Sequence, residues 1–401
     1  MGFPDRTEPG LPLSGVTVVS IEQAVTAPLA TRHLADWGAR VIKIERPVGG
    51  DFARGYDTRV KGLSSYFVWL NRSKQSLALD LKRPEASEVI ERLIARADVL
   101  VHNLAPGAID RLGFGTPALR ERYPRLIICA ISGYGSSGPY RDRKAYDLLV
   151  QSEAALLSIT GTPETPCKVG ISIADTAAGI YAYSGILAAL LRRATTGEGA
   201  SIEVSMLEAL GEWMSHAVYA TMYGSAPLPR TGSRHASIAP YGPYRARDGR
   251  VIYLGIQNER EWPRFCREVL LQPGLADDDR FRGNPQRMAN QEALEPLIAG
   301  VLGKLSSEEI VSRLEAAEIA HARLNTVEEF AQHPQLTTRK RWRDIESPAG
   351  PLRALIPPVN LDDLEPVMEK IPRLGEDTDA ILAELGYSGD TIASWRKEGV
   401  I

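Results

Sequence analysis

One acid in this chain is placed to do chemistry. Asp175 sits in KVGISIADTAAGIYAYSGILAALLRR, where a short apolar run meets a long series of small residues. Residues 176–191 read as a helix, and Ala177, Ala178, Gly179, Ser184 and Gly185 leave room for close backbone packing. The ordinary role of an Asp at a helix start is an N-cap that satisfies orphan amides. Its chemical role would be a carboxylate held ionised by the helix dipole and aimed at an electrophile. A second constellation is cationic. Arg46 follows one apolar run, Lys82 follows another, Arg111 lies in PGAIDRLGF and Lys144 precedes Tyr146-Asp147. Singly each is an ordinary surface charge. Gathered at one edge of a sheet, they suit an anionic, phosphate-bearing ligand. His235, in Arg234-His235-Ala236-Ser237, is the one histidine to follow, either as a solvated linker residue or as part of a site.

These residues need a scaffold, and the first half supplies an alternating one. Strands are expected at 16–21, 40–44, 76–79, 99–101, 125–131 and 201–204, with helices at 29–37 and 85–97. Such βαβ alternation implies an α/β fold with a parallel, doubly wound sheet whose ligands gather at the carboxyl ends of the strands. Composition shifts at 225–243, SAPLPRTGSRHASIAPYGP, which reads as a linker. Beyond it, runs at 244–246 and 251–254 flank Asp248-Gly249 as a hairpin, and helices are expected at 261–271, 291–303 and 307–317. The domains expected are 1–224, completed by 330–401 with its helix at 378–385, and a smaller α+β domain at 225–329.

The 401 residues suffice for two domains and a large core, and the 44% hydrophobic and 24% charged content is that of an ordinary globular protein. A net charge of −3 offers no global field for nucleic acid. Cys129, Cys167 and Cys266 form no C-x-x-C pair, which points away from disulfides and zinc and fits a reducing cytoplasm. The first fifteen residues lack an apolar signal core, and Met1-Gly2 lacks the following Ser or Thr of a myristoylation signal. No uninterrupted apolar run reaches membrane-spanning length. The stretch 133–138, GYGSSG, matches G-x-G-x-x-G, but Pro139-Tyr140 and the charges after it do not open the helix that a dinucleotide site requires. The six histidines show no metal-binding spacing, and no P-loop or nucleophile-elbow motif occurs.

Several stretches together resemble the family III CoA-transferases: GARVIKIERPVGGDFARG, YFVWLNRSKQSLALDLK, ADVLVHNLAPGAIDRLGF, RLIICAISGYGSSGPYRDRKAYD and the Asp175 helix, with HPQLTTRKRW and LGEDTDAILAELGYS near the end. The resemblance implies a Rossmann-like large domain, a smaller domain and an interlocked, ring-shaped homodimer, with coenzyme A as substrate and no further cofactor or metal. It places Asp175 at the family's catalytic aspartate. Gln23, Ala24, Val25 and Thr26 fall on the loop that approaches the thioester, and the amides of Val25 and Thr26 are candidates for oxyanion stabilisation. Arg46, Leu79, Lys82, Asn103, Leu104, Arg111 and Lys144 stand at CoA-contacting positions, Leu104 replacing a phenylalanine. The racemases of this family pair the aspartate with a histidine, and that position is Tyr146 here. A neutral phenol of pKa about 10 is a weak base, so a transferase is favoured over a racemase or epimerase. A non-catalytic CoA-binding subunit is the alternative of another class.

Substrate identity rests on the linker. The glycine-rich loop of formyl-CoA transferase has no counterpart in 230–244, which makes formyl-CoA and oxalate poor expectations. Arg230, Arg234, His235 and Tyr146 are the acyl- or carboxylate-binding candidates. The R-x-G-x-x-H-x-x-x-x-P-Y pattern resembles dicarboxylate transferases, implying succinyl-CoA with acceptors such as itaconate, malate, citramalate or mesaconate.

Overall fold

The structure, a computed structural model, describes residues 10–224 and 226–401. The expectations for the extreme N-terminus, and Ser225 at the start of the linker, lie outside the described residues. The chain divides into a larger unit, which runs to Ala154 and adds Val169–Ser215 and Leu336–Ile401, and a smaller unit of Ala155–Lys168 and His216–Gln335.

In the larger unit, strands β1 (Thr17–Ile21), β2 (Arg40–Glu45), β3 (Lys74–Ala78), β4 (Val99–His102), β5 (Ile127–Ser132) and β6 (Ser201–Ser205) pair in the order β3-β2-β1-β4-β5-β6. Every pairing is parallel. The order reverses between β1 and β4, so the loops leaving those two strands flank the crevice where such sheets bind ligands. Three helices carry the site: α1 (Thr26–Asp36) follows β1, while α2 (Asp147–Glu153) and α3 (Ile173–Thr196) lie between β5 and β6.

The two faces of the sheet differ. Alternation sends Val19, Ile21, Ile42, Ile44, Leu77, Leu100 and Ile128 into one apolar core with the helices Pro84–Ile94 and Thr378–Glu384. Full burial of each such side chain contributes about 1.5–3 kcal/mol, so this face carries much of the unit's cohesion. The opposite face receives Ser20, Lys43, Glu45, Lys74 and Ser76, all buried. The third strand therefore begins at Lys74 rather than 76: Lys74 pairs with Val41 and lies inside, not at a solvated strand end.

Helix α3 also departs from expectation. It starts a turn before 176 and runs past 191 to Thr196, where Gly197 at φ 76° ends it in the left-handed conformation. Among the described residues it is the one helix long and apolar enough to cross a membrane by length and composition. Its buried residues include Ala174, Ala177, Ala178, Gly179, Ala182, Ile186 and Ala189, and it packs on α1, β5 and β6 as a core helix does.

In the smaller unit, β7 (Tyr241–Arg245), β8 (Val251–Gly255) and β9 (Ala320–Arg323) form an antiparallel sheet in that order. The hairpin expected at Asp248-Gly249 is there, but the linker ends sooner than 243. Tyr241, Gly242 and Pro243 already pair with β8, and Pro243 is tolerated because β7 is an edge strand. Trp262, Phe265, Leu294, Ile298, Ile310 and Leu314 pack beneath the sheet. Cys129 and Cys266 are buried, Cys167 is exposed, and all three are unpaired.

Candidate active site

Asp175 is the third residue of α3 and does not cap it. Ser172 occupies the cap position and makes no capping bond. The amides of Ala174 and Asp175 donate instead to Oδ1 of Asp147, at 2.8 and 3.3 Å, and Asp147 Oδ2 accepts from Gln151 Nε2 at 2.7 Å. Helix N-termini need such acceptors, and Asp147 supplies them from α2. The Asp175 carboxylate is thereby released to point away from its own helix. Its Oδ1 accepts from Thr26 Oγ1 at 2.5 Å, and its Oδ2 has no partner among the described residues.

Burial pushes the Asp175 carboxyl up to about 6; the Thr26 hydroxyl pulls against this rise and the Asp147 carboxylate adds to it. The ordinary carboxylate range expected from the sequence is therefore left behind, because desolvation outweighs the helix dipole. At pH 7 such a group is still roughly nine-tenths ionised, and it is a stronger base and nucleophile than an exposed Asp.

The loop 23–26 leaves β1 and opens α1 beside this carboxylate. Asn103, just after β4, clamps it: Oδ1 accepts from Gln23 N at 2.9 Å and Nδ2 donates to Gln23 O at 2.8 Å. Ala24 has φ 64°, a left-handed value uncommon for a residue with a Cβ, and its amide donates to Asp51 Oδ1 at 3.0 Å. The amides of Val25 and Thr26 have no acceptor among the described residues. They are orphan donors at a helix start, next to the group that would attack. Helix α3 comes so close here that a Cβ on Gly179 would lie 2.8 Å from Thr26 O.

Tyr56 was not singled out by its sequence context, yet it stands in the field of Asp175. Burial pushes its phenol up to about 12, with Asp51 and then Asp175 adding to the rise. Its ring meets Tyr66 edge-on at 5.5 Å and Phe52 at 5.8 Å. Aromatic residues just past the carboxyl end of β2 were the available signal. Asp147 offered none, since its role depends on a contact with a helix far along the chain.

Arg46, Lys82, Arg111 and Lys144 are exposed and follow β2, β3, β4 and β5 respectively, so the topology brings them to the carboxyl edge of the sheet. Arg46 donates to Gly50 O at 3.2 and 3.0 Å. Leu104 is half-buried against the apolar core. Leu79 is fully buried, with its amide bonded to Glu45 O at 2.8 Å, and presents no surface to a ligand. Tyr146 is 66% exposed and precedes Asp147 at the start of α2. The GYGSSG stretch opens no helix. Both the amide and the hydroxyl of Ser136 bond to the Glu203 carboxylate, so an acid occupies the donors that a pyrophosphate would need. No cluster of His, Cys, Asp or Glu suited to a metal occurs among the described residues.

The carboxylate-binding candidates of the smaller unit have partners there. Arg234 lies 2.6 Å from Glu295 and over the ring of Tyr244 at 5.1 Å. Arg230 donates to the carbonyls of Thr162 and Pro163 at 2.8 and 2.7 Å. His235 stacks on Tyr241 with centroids 5.2 Å apart, and its Nδ1 accepts from Ser237 N at 3.2 Å. The clustered cations thus have structural work in addition to any substrate they meet.

A parallel sheet that reverses between β1 and β4, with a carboxylate held through one oxygen by Thr26 beside the crevice and cations on the strand ends, defines a doubly wound α/β protein with an acid and a cationic edge at its ligand crevice. The chain belongs to CoA-transferase family III, whose family model matches residues 13–378. It is similar to a succinate–glutarate CoA-transferase of Agrobacterium fabrum, 33% identical over 387 residues that cover 93% of this chain and 96% of that one. It is also similar to an acetyl-CoA:oxalate CoA-transferase of Acetobacter aceti, 36% identical over 335 residues, 83% of this chain and 85% of that one. A crystal structure of a CAIB/BAIF family protein from Brucella suis matches with a TM-score of 0.82 at 31% identity, covering 94% of this chain and 99% of that one.

Proposed function

We propose that this transferase moves CoA from a short acyl-CoA, with succinyl-CoA the first donor to test, to a short dicarboxylic acid, using Asp175 as nucleophile. The observation that carries the reading is the Asp175 carboxylate itself, excused from capping by Asp147, bonded through one oxygen to Thr26 and free at the other. The free oxygen attacks the thioester carbonyl, the C–S bond breaks, and an acyl-aspartyl anhydride and CoA thiolate form. The thiolate attacks the aspartyl carbonyl and expels the donor acid as its carboxylate, leaving an aspartyl-CoA thioester. The acceptor carboxylate then attacks the aspartyl carbonyl of that thioester, expelling CoA thiolate and forming a second anhydride, and the thiolate attacks its acyl carbonyl, releasing the new acyl-CoA and the Asp175 carboxylate. No step needs a co-reactant. The orphan amides of Val25 and Thr26 are the donors for the tetrahedral oxyanions, and Phe52, Tyr56 and Tyr66 form the aromatic wall that limits water.

The dicarboxylate class draws support from the relatives, whose names pair CoA with glutarate and with oxalate. Glutarate therefore joins malate, itaconate, citramalate and mesaconate as an acceptor, and oxalate returns to the panel. A carboxylate-binding role for Arg234, which Glu295 holds, is tested by removing its charge: KM is expected to rise more for dicarboxylates than for monocarboxylates, and an equal loss for both would argue against it. A homodimer in a reducing cytoplasm is the proposed setting. Leu191 on α3 is 73% exposed, and Tyr219, Met222 and Tyr223 are 64%, 65% and 77% exposed, which leaves apolar surface for a second copy to cover.

The test is incubation in D₂O with succinyl-CoA and this panel of acids, reading every thioester by mass spectrometry. New thioesters without deuterium at the α-carbon, lost in a CoA-binding Asp175→Ala variant, are expected. In a parallel incubation with a 2-methyl-branched acyl-CoA alone, deuterium uptake without transfer would establish a racemase instead, and wild-type turnover by Asp175→Ala would remove the nucleophile assignment.

A further inference from the structure

The sheet face beneath α1 buries charges where aliphatic side chains are the rule. Lys43 Nζ lies 2.8 Å from Asp51 Oδ2 and 3.3 Å from Glu22 Oε1. Lys74 Nζ lies 2.7 Å from the same Glu22 oxygen and donates to Pro28 O at 2.9 Å and Asn71 Oδ1 at 3.1 Å. Glu22 Oε2 accepts from Thr31 Oγ1 at 2.6 Å. Glu45 pairs with Arg54 at 2.7 Å and accepts from Asp51 N at 3.0 Å. The side chains of Glu22, Lys43, Asp51 and Lys74 are fully enclosed. Glu22, Glu45 and Asp51 balance Lys43, Arg54 and Lys74, so the cluster is neutral as a whole.

Stability alone is a poor reason for such a cluster, because apolar residues of equal volume often serve as well. Its contacts suggest another reason. It grips the segment 22–31 through the Glu22 side chain, the Ala24 amide, the Pro28 carbonyl and the Thr31 hydroxyl. One oxygen, Asp51 Oδ1, accepts from both Ala24 N at 3.0 Å and Ala53 N at 2.9 Å. It therefore ties the loop beside Asp175 to the turn that carries Phe52 and Tyr56. Ala24 keeps its left-handed φ of 64° against a cost that falls on residues with a Cβ, and such strain persists only where surroundings impose it.

We infer that Asp51 is a positioning residue of the transfer reaction: through the Ala24 amide it holds loop 23–26 so that Thr26 and the orphan amides of Val25 and Thr26 stand at Asp175. Lys43, bonded to the other Asp51 oxygen, orients it. The inference rests on Asp175 being the nucleophile.

Kinetics and amide hydrogen exchange on the full chain test it together. Asp51→Ala removes the acceptor, whereas Asp51→Asn keeps an oxygen for Ala24. Asp51→Ala is expected to lose about 100-fold in kcat with KM for the acyl-CoA nearly unchanged, and Asp51→Asn to regain about tenfold of that. The Ala24 amide should exchange fast in Asp51→Ala and slowly in wild type and Asp51→Asn. Ala24→Gly accepts the same φ without strain and keeps the amide that Asp51 binds, so it folds even if Asp51→Ala does not, and its residue-24 amide should still exchange slowly. Wild-type kcat in a folded Asp51→Ala, equal losses in Asp51→Asn and Asp51→Ala, or fast exchange of the Ala24 amide in the wild type would overturn the inference. If wild type shows no transfer at all, the functional reading fails instead, and the exchange measurement, which needs no substrate, still decides whether Asp51 holds the loop.

Discussion

Burial of the Asp175 carboxyl sets its ionisation against the folded state. Its carboxyl is held up at about 6, above the 3.8 of an unperturbed Asp, so between those values the folded chain binds more protons than the unfolded one. The sign follows from linkage: ionising Asp175 opposes folding, and the opposition is complete above pH 6 and absent below about 4. Two pKa units correspond to about 3 kcal/mol. Asp175→Asn should therefore be inactive yet more stable than wild type at pH 7.5 by an amount of that order, with the gap closing as pH falls through 6 toward 4. Urea titrations across that range measure it. The same group should give kcat/KM an acidic limb near pH 6. A limb below pH 5 with no gain in stability would mean the carboxylate is well solvated.

At the scale of elements, the geometry at Asp175 depends on how closely α3 approaches the start of α1. Gly179 lies one turn beyond Asp175, and the nearest atoms to an added Cβ are Thr26 O at 2.8 Å and the Leu29 side chain at 3.0 and 3.2 Å. A backbone oxygen cannot step aside as a flexible side chain can. Gly179→Ala is expected to cost about 1–3 kcal/mol and to draw Asp175 away from Thr26, lowering kcat more than it raises KM. Thermal melts and steady-state kinetics on one preparation would show both; an unchanged Tm and kcat would mean the helices are free to part. The six strands of the parallel sheet were legible from apolar runs, though β3 begins two residues before its expected start, and the hairpin from Asp248-Gly249, because those signals are local. What was not legible is non-local. Asp147 caps a helix from 28 residues away, which no pattern around Asp175 reveals. Lys43, Glu45 and Lys74 look like solvated strand residues until the partners Glu22, Asp51 and Arg54 are brought to them. β9, whose residues Ala320, Ala322 and Arg323 are largely exposed, carries no hydrophobic alternation to announce it.

The whole molecule should be sensitive to acid. Burial pushes His33 down to about 3, helped by Arg32 and Arg72, and pushes His102 down to about 4 against the pull of Asp110. Both rings are neutral when folded and charged when unfolded below about pH 6.5, so the stability they contribute is present above 6.5 and lost as pH falls toward 4 and 3. Neither ring nitrogen of His102 has a hydrogen-bond partner among the described residues, so replacing it forfeits no bond there. His102→Leu should flatten the decline of Tm between pH 6.5 and 4 while leaving Tm at pH 8 nearly unchanged. An unaltered slope would show that the imidazole reaches solvent.

The distribution of the thiols turns this chain into its own spectroscopic probe. Burial drives the Cys129 and Cys266 thiols up to about 12, while Cys167 is exposed in the smaller unit. A maleimide dye at neutral pH would thus enter at a single native position, giving one fluorophore per chain without engineered cysteines, and its emission could follow the smaller unit in real time.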